Sequence, residues 1–187
     1  NVVLPMFPEG AQDFAIAPGD AGALLAGSRN KPLMRLRGNE LEFLDLAPPI
    51  TAAHRDREGI VWLGGPDGLW SLRNGRLTAV TALPLSGYSG VQAIAKDDEG
   101  ALWVSLNTPG VYRLSNGRWQ HIQDVAGMPK GSSPLTLLSA SDGTLWMGFA
   151  RNSVTLMKGG GLQSLGAGQG LEVGNATALG EGRTGVW

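Results

Sequence analysis

The sequence predicts an all-β fold: a β-propeller fragment of four-stranded antiparallel blades, with four full repeats of about 41 residues and a partial fifth. Three observations predict it. Tryptophan recurs at Trp62, Trp103, Trp146 and Trp187, at intervals of 41, 43 and 41 residues. Glycine supplies 29 of the 187 residues with no collagen-type period, as many tight turns between short strands require. Asn-Gly pairs stand between alternating apolar runs, and both residues accept the positive φ of a type I′ hairpin turn.

The propeller fragment spans residues 1–187, with blades near 11–46, 50–82, 90–124 and 134–166 and a partial unit at 175–187. Val2-Val3-Leu4 reads as the last strand of an earlier blade. The first repeat diverges most: Gly22-Ala23-Leu24-Leu25-Ala26-Gly27 puts Leu25 in the tryptophan position, 37 residues before Trp62, and Pro32-Leu33-Met34-Arg35-Leu36 follows as a third strand. In the second, Asp56-Arg57-Glu58-Gly59-Ile60-Val61-Trp62-Leu63-Gly64 is a corner and a strand. Gly68-Leu69-Trp70-Ser71-Leu72 comes next, and Asn74-Gly75-Arg76-Leu77 turns the chain again.

The third repeat is the clearest. Its strands A to D are Val91–Lys96, Leu102–Ser105, Val111–Leu114 and Trp119–Ile122. Asp97-Asp98-Glu99-Gly100 forms the A–B corner, and Asn116-Gly117 joins C to D. The fourth repeats the pattern with Ala140-Ser141-Asp142-Gly143-Thr144-Leu145-Trp146-Met147-Gly148 and Ser153-Val154-Thr155-Leu156-Met157. The fifth holds Gly182-Arg183-Thr184-Gly185-Val186-Trp187, strand A and part of B. At each Asp-x-x-Gly corner a carboxylate is expected to cap the turn while glycine takes the left-handed residue.

Composition removes several classes of function. Fifteen Lys and Arg against 16 Asp and Glu give a net charge of -1, which leaves no basic face for nucleic acid. Hydrophobic residues at 42% and charged residues at 17% exclude a disordered segment. No cysteine is present, so disulfides, zinc–thiolate sites and thiol catalysis are absent. No apolar run approaches the ~20 residues of a membrane span, and no membrane contact is expected within these residues. The chain starts at Asn1 without a signal peptide and is read as a piece of a larger protein.

The tandem pattern Asp-x-x-Gly-x-Leu-Trp-x-Gly, then a Gly-Leu-Tyr-like strand, then Asn-Gly-aromatic, resembles the two-component regulator propeller repeat. The resemblance covers about residues 11–187, best at 91–122 and poorest at 11–44. It implies the periplasmic, ligand-sensing region of a bacterial receptor, whose output is a histidine kinase, a diguanylate cyclase or a DNA-binding domain. The ligand it implies is an oligosaccharide or a similar small molecule. The expected function is recognition without chemistry, with no catalytic residue, cofactor or metal. Two other readings stand beside it. One is a structural propeller that binds protein partners. The other is an enzyme similar to streptogramin lyases, propellers with like repeats whose chemistry is expected to use histidine and a divalent metal.

Candidate residues follow from the repeat. Trp62, Trp103, Trp146 and Trp187 are assigned to packing between blades. Asp56, Glu58, Asp97, Asp98, Glu99 and Asp142 recur at one corner of successive blades and are assigned to turn capping, with adjacent copies far apart. His54 and His121 fall on different strands of different blades, with no ligand spacing between them. The B–C and D–A loops share one face and vary between copies over a repeated frame, which is where specificity belongs. That face supplies the ligand-binding candidates Arg29, Asn30, Asp67, Tyr88, Asn107, Lys130, Arg151 and Asn152. Other blades of the parent chain or a second copy are the expected protein partners, through open sheet edges.

Overall fold

A computed structural model of the chain describes residues 14–44, 48–80, 83 and 90–187. Val2-Val3-Leu4 and Tyr88 lie outside them. Four four-stranded antiparallel sheets follow one another in sequence, each built from neighbouring strands. Sheet 1 holds β1 (Ala15–Pro18), β2 (Leu24–Ser28), β3 (Lys31–Arg37) and β4 (Glu40–Leu44). Sheet 2 holds β5 (Ala52–Arg55), β6 (Val61–Gly65), β7 (Gly68–Arg73) and β8 (Arg76–Ala79). Sheet 3 holds β9 (Val91–Lys96), β10 (Leu102–Leu106), β11 (Val111–Ser115) and β12 (Arg118–Ile122). Sheet 4 holds β13 (Thr136–Ser139), β14 (Leu145–Phe149), β15 (Ser153–Lys158) and β16 (Gly161–Leu165).

The hairpin chemistry is the one the Asn-Gly pairs predict. Asn74 and Gly75 sit at φ 51° and 75°, and Asn116 and Gly117 at 51° and 71°, the left-handed pair of a type I′ turn. The fourth sheet makes its equivalent turn with Gly159 and Gly160. The A–B corners also form as their residues dictate. Asp56 Oδ1 accepts the Ile60 amide at 2.9 Å, Asp97 Oδ1 accepts the Ala101 amide at 2.7 Å, and Gly59 and Gly100 carry φ of 82° and 83°.

The chain divides into two compact units, Asn1–Val91 and Gln92–Trp187, each with its own core. In the first, Ala15, Ala17, Leu25 and Leu33 of sheet 1 pack on Ile50 and on Val61 and Leu63 of sheet 2. In the second, Ala93, Ala95, Trp103 and Val111 of sheet 3 pack on Leu137, Leu145, Met147 and Phe149 of sheet 4.

Close approach within each unit depends on small residues two places after the tryptophan position. A Cβ on Gly27 would stand 2.6 Å from Ile50 Cβ, and one on Gly148 would stand 2.7 Å from Thr136 Cγ2 and 2.8 Å from the Ala176 carbonyl. Ser105 fills the same place in sheet 3 and donates its hydroxyl to the Pro134 carbonyl.

The repeat tryptophans do not share one environment. Trp103 is buried at 2% exposure, Trp62 and Trp146 are half-buried, and Trp187 is 79% exposed. The fifth repeat explains the last case. It forms only the two-stranded hairpin β17 (Glu181–Gly182) and β18 (Gly185–Val186), closed by paired bonds between Gly180 and Trp187. Thr184 stands where the corner glycine recurs in other copies, so the Asp-x-x-Gly turn does not form there.

Candidate functional site

The tryptophans and the corner aspartates are joined by a bond that their spacing leaves implicit. Asp56 Oδ2 accepts the Trp62 indole N–H at 2.8 Å, and Asp97 Oδ2 accepts that of Trp103 at 2.7 Å. One carboxylate thus holds both the turn and the ring six residues on. The signal was present as a fixed aspartate-to-tryptophan interval. In the fourth repeat Ala140 replaces this aspartate, and Asp142 caps instead, accepting the Thr144 amide at 3.0 Å and its hydroxyl at 2.9 Å.

Within each unit, successive corners are not far apart, contrary to the sequence expectation. Arg55 of sheet 2 reaches back to Asp20 at 2.9 Å. Asp98 lies against the next corner, where a Cβ on Gly143 would stand 2.6 Å from its carboxylate oxygen. Glu181 accepts the Ser141 amide at 2.9 and 3.0 Å and the Ser141 hydroxyl at 2.5 Å. Stacked sheets lie only about 10 Å apart, a gap that a charged side chain spans.

Between sheets 3 and 4, on the corner face, lies a cleft of about 580 Å³. Asp97, Asp98, Glu99, Asp142, Arg113, Lys158 and the edge of Trp103 line it. Its four carboxylates outnumber its two cations, each of which pairs with one of them. Arg113 lies over the Trp103 ring, 5.6 Å from the centroid, and pairs with Glu99 at 3.2 Å. Lys158 pairs with Asp142 at 2.8 Å. The Lys158 ammonium and the Thr144 amide and hydroxyl hold the Asp142 carboxyl at about 2, below its ordinary 3.8. Among the described residues no group of three or more acidic or histidine side chains is arranged to hold a metal.

The loop-face candidates fall in both units. In the first, Arg29 and Asn30 form the β2–β3 turn and Asp67 sits in the β6–β7 turn, with Asn30 and Asp67 exposed. Ser28 donates its hydroxyl to Asn30 Oδ1 at 3.2 Å, which fixes the turn. In the second, Asn107 and Lys130 are exposed in the β10–β11 and β12–β13 connections. Arg151 and Asn152 make the β14–β15 turn, both left-handed at φ 61° and 56°. Asn152 is committed to structure. Its amide donates to the Gly174 carbonyl at 2.6 Å, and its side-chain oxygen accepts the Gly174 amide. The Arg151 amide donates to Asn175 Oδ1 at 3.2 Å, which leaves the Arg151 side chain exposed on that turn.

The histidines are placed separately. His54 faces Trp62 across β5 and β6 in the first unit. In the second, His121 stacks flat on Tyr112 with centroids 4.3 Å apart, and its Nε2 lies 2.9 Å from the Pro109 carbonyl.

No family model matches the chain, and no curated protein matches it. Solved structures do. A catalytically inactive virginiamycin B lyase from Staphylococcus aureus, determined with quinupristin, aligns with a TM-score of 0.72 at 15% identity over 98% of this chain and 65% of its own. The extracellular domain of a hybrid two-component system from B. thetaiotaomicron aligns with a TM-score of 0.75 at 14% identity, covering 97% of this chain and 26% of its own. A gluconolactonase from Xanthomonas campestris gives 0.68 at 15% identity over 91% and 65%. The chain therefore spans less than two-thirds of the length of each. At such identities the likeness is one of fold: antiparallel four-stranded blades of a β-propeller fragment.

Proposed function

We propose that the chain is a ligand-sensing propeller module from the extracytoplasmic part of a bacterial signalling receptor, and that its ligand is an oligosaccharide or a similar polar small molecule. One observation carries the reading. A rigid, repeated frame, held by aspartate–tryptophan bonds and type I′ turns, presents B–C turns whose residues change from copy to copy. Amide and guanidinium groups on those turns suit sugar hydroxyls and carboxylates. The fold-level likeness to the extracellular domain of a hybrid two-component system supports the same reading. Ligand binding acts on the receptor by favouring one of two arrangements for which it has unequal affinity.

Thermal unfolding against a panel of oligosaccharides tests it. A saccharide at one hundred times its Kd stabilises by about 2.7 kcal/mol, and Arg151→Ala should remove the shift while leaving the unliganded melting temperature in place. A panel that moves no melting temperature refutes the reading. The likeness to virginiamycin B lyase favours a second reading, an enzyme. Metal-dependent turnover lost on His121→Ala or His54→Ala would establish that one instead.

A further inference from the structure

The β14–β15 turn uses a residue that its backbone disfavours. Left-handed backbone suits glycine and asparagine, and the turns at Asn74-Gly75, Asn116-Gly117 and Gly159-Gly160 meet that preference. The β14–β15 turn instead places Arg151 at φ 61° beside Asn152 at 56°. Among the described residues the other non-glycine positions of positive φ are Ala21, Asp124, Asn74 and Asn116, so Arg151 is the one long side chain held there. Such strain persists where the surroundings enforce it, and it gathers at functional sites.

The segment 174–175 enforces it. The Asn152 amide donates to the Gly174 carbonyl at 2.6 Å, as the Gly110 amide donates to the Ser132 carbonyl at 2.9 Å one repeat earlier. Asn152 Oδ1 accepts the Gly174 amide, and Asn175 Oδ1 accepts the Arg151 amide at 3.2 Å. A backbone amide can only donate, so both carboxamides give up their oxygens to it and keep their NH2 groups. Neither NH2 group nor the Arg151 guanidinium bonds to another described residue, and Glu172 forms no ion pair with Arg151. These three side chains therefore offer donors without acceptors, and one of them is a cation. Arg151 and Asn175 are exposed, and the equivalent loop of sheet 3 keeps Asn107 and Pro109 exposed beside a complete following sheet.

We propose that Arg151, Asn152 and Asn175 form a subsite for an anionic oxygen group, a carboxylate or a sulfate ester on a saccharide ligand. A hydroxyl brings a proton that finds no acceptor on these side chains. A carboxylate or sulfate brings acceptors alone, and a guanidinium takes two of them at once. The subsite rests on the sensing reading above and gives its ligand a negative charge.

Thermal unfolding with neutral oligosaccharides, and with uronate-containing and sulfated counterparts of the same linkages, tests this. Acidic members should raise the melting temperature and their neutral counterparts should not. Arg151→Gly should weaken binding of the acidic member roughly 10- to 100-fold. It should also raise the melting temperature of the unliganded protein, because glycine carries no Cβ to strain the turn. Asn175→Asp keeps an oxygen to accept the Arg151 amide and exchanges the donor for a negative charge. It should melt near wild type without ligand and lose the shift from acidic members. Neutral saccharides that bind as well as acidic ones overturn the subsite and leave the sensing reading standing. So does acidic binding that is undiminished in Arg151→Gly. An unliganded Arg151→Gly protein that melts below wild type overturns it as well, since the turn then holds Arg151 without strain. A panel with no shift at all refutes the sensing reading and the subsite with it.

Discussion

At the scale of single residues, the corner aspartate does two tasks that are easily separated by substitution. Asp97 accepts the Ala101 amide and the buried Trp103 indole at 2.7 Å each. Asp97→Ala strands both donors, at a cost on the order of 1–3 kcal/mol for each one left unsatisfied. Asp97→Asn keeps one acceptor oxygen and should lose about half as much. A urea midpoint that falls at constant slope is the measurement. Asp142 offers the pH counterpart. Its folded carboxyl titrates at about 2 and the ordinary value is 3.8. The unfolded chain therefore binds more protons between those values, and the contribution to stability, full above about pH 4, is lost as pH falls toward 2. Lys158→Met removes the main cause of the depression. The acid limb of the variant's stability curve should then fall less steeply than that of the wild type. Equal limbs would show that the Lys158 pair, which is exposed on both sides, contributes nothing to it.

At the scale of elements, strands and hairpins were legible because their causes are local. Asn74-Gly75 and Asn116-Gly117 fix their turns from two residues, and alternation places the strands on either side. The A–B corners were legible for the same reason. The indole bond was half legible: aspartate and tryptophan keep a six-residue interval, but the interval alone does not say that one carboxylate serves both groups. The corner-to-corner contacts were hidden. Glu181 bonds Ser141 across 40 residues, and no repeat motif encodes a pairing between successive copies. The purpose of the small residues two and three places after the tryptophan was hidden too, since they answer to another element. At Gly65 a Cβ would stand 1.9 Å from the Pro49 carbonyl, and at Gly148 it would meet Thr136 and the Ala176 carbonyl below 3 Å. Gly65→Ala and Gly148→Ala should each cost about 1–3 kcal/mol through forced backbone shifts. Gly75→Ala meets open space and should cost less, through its φ of 75° alone. Chemical denaturation of the three variants ranks them, and equal losses would show that contact with the neighbouring element does not matter.

At the scale of the whole molecule, two separate cores imply two separable stabilities. Repeat proteins add the stability of each unit to that of its neighbour interfaces, and so can open in parts. The first core is built on Leu25, Leu33, Val61 and Leu63, and the second on Trp103, Val111, Met147 and Phe149. Trp103→Ala deletes the largest buried side chain of the second, a change worth about 3–5 kcal/mol. Native-state hydrogen exchange should then show faster exchange along β10, β11, β14 and β15. Amides of β2 and β6 should keep their wild-type protection, because the deleted ring belongs to a core that holds none of their side chains. A converse substitution, Leu63→Ala, should spare β14 and β15 in the same way. If either substitution lowers protection equally in all these strands, the chain opens only as one cooperative body, and the two cores are parts of a single folding unit. That outcome would also bear on sensing, since a module that opens only as a whole offers no local loosening for a ligand to suppress.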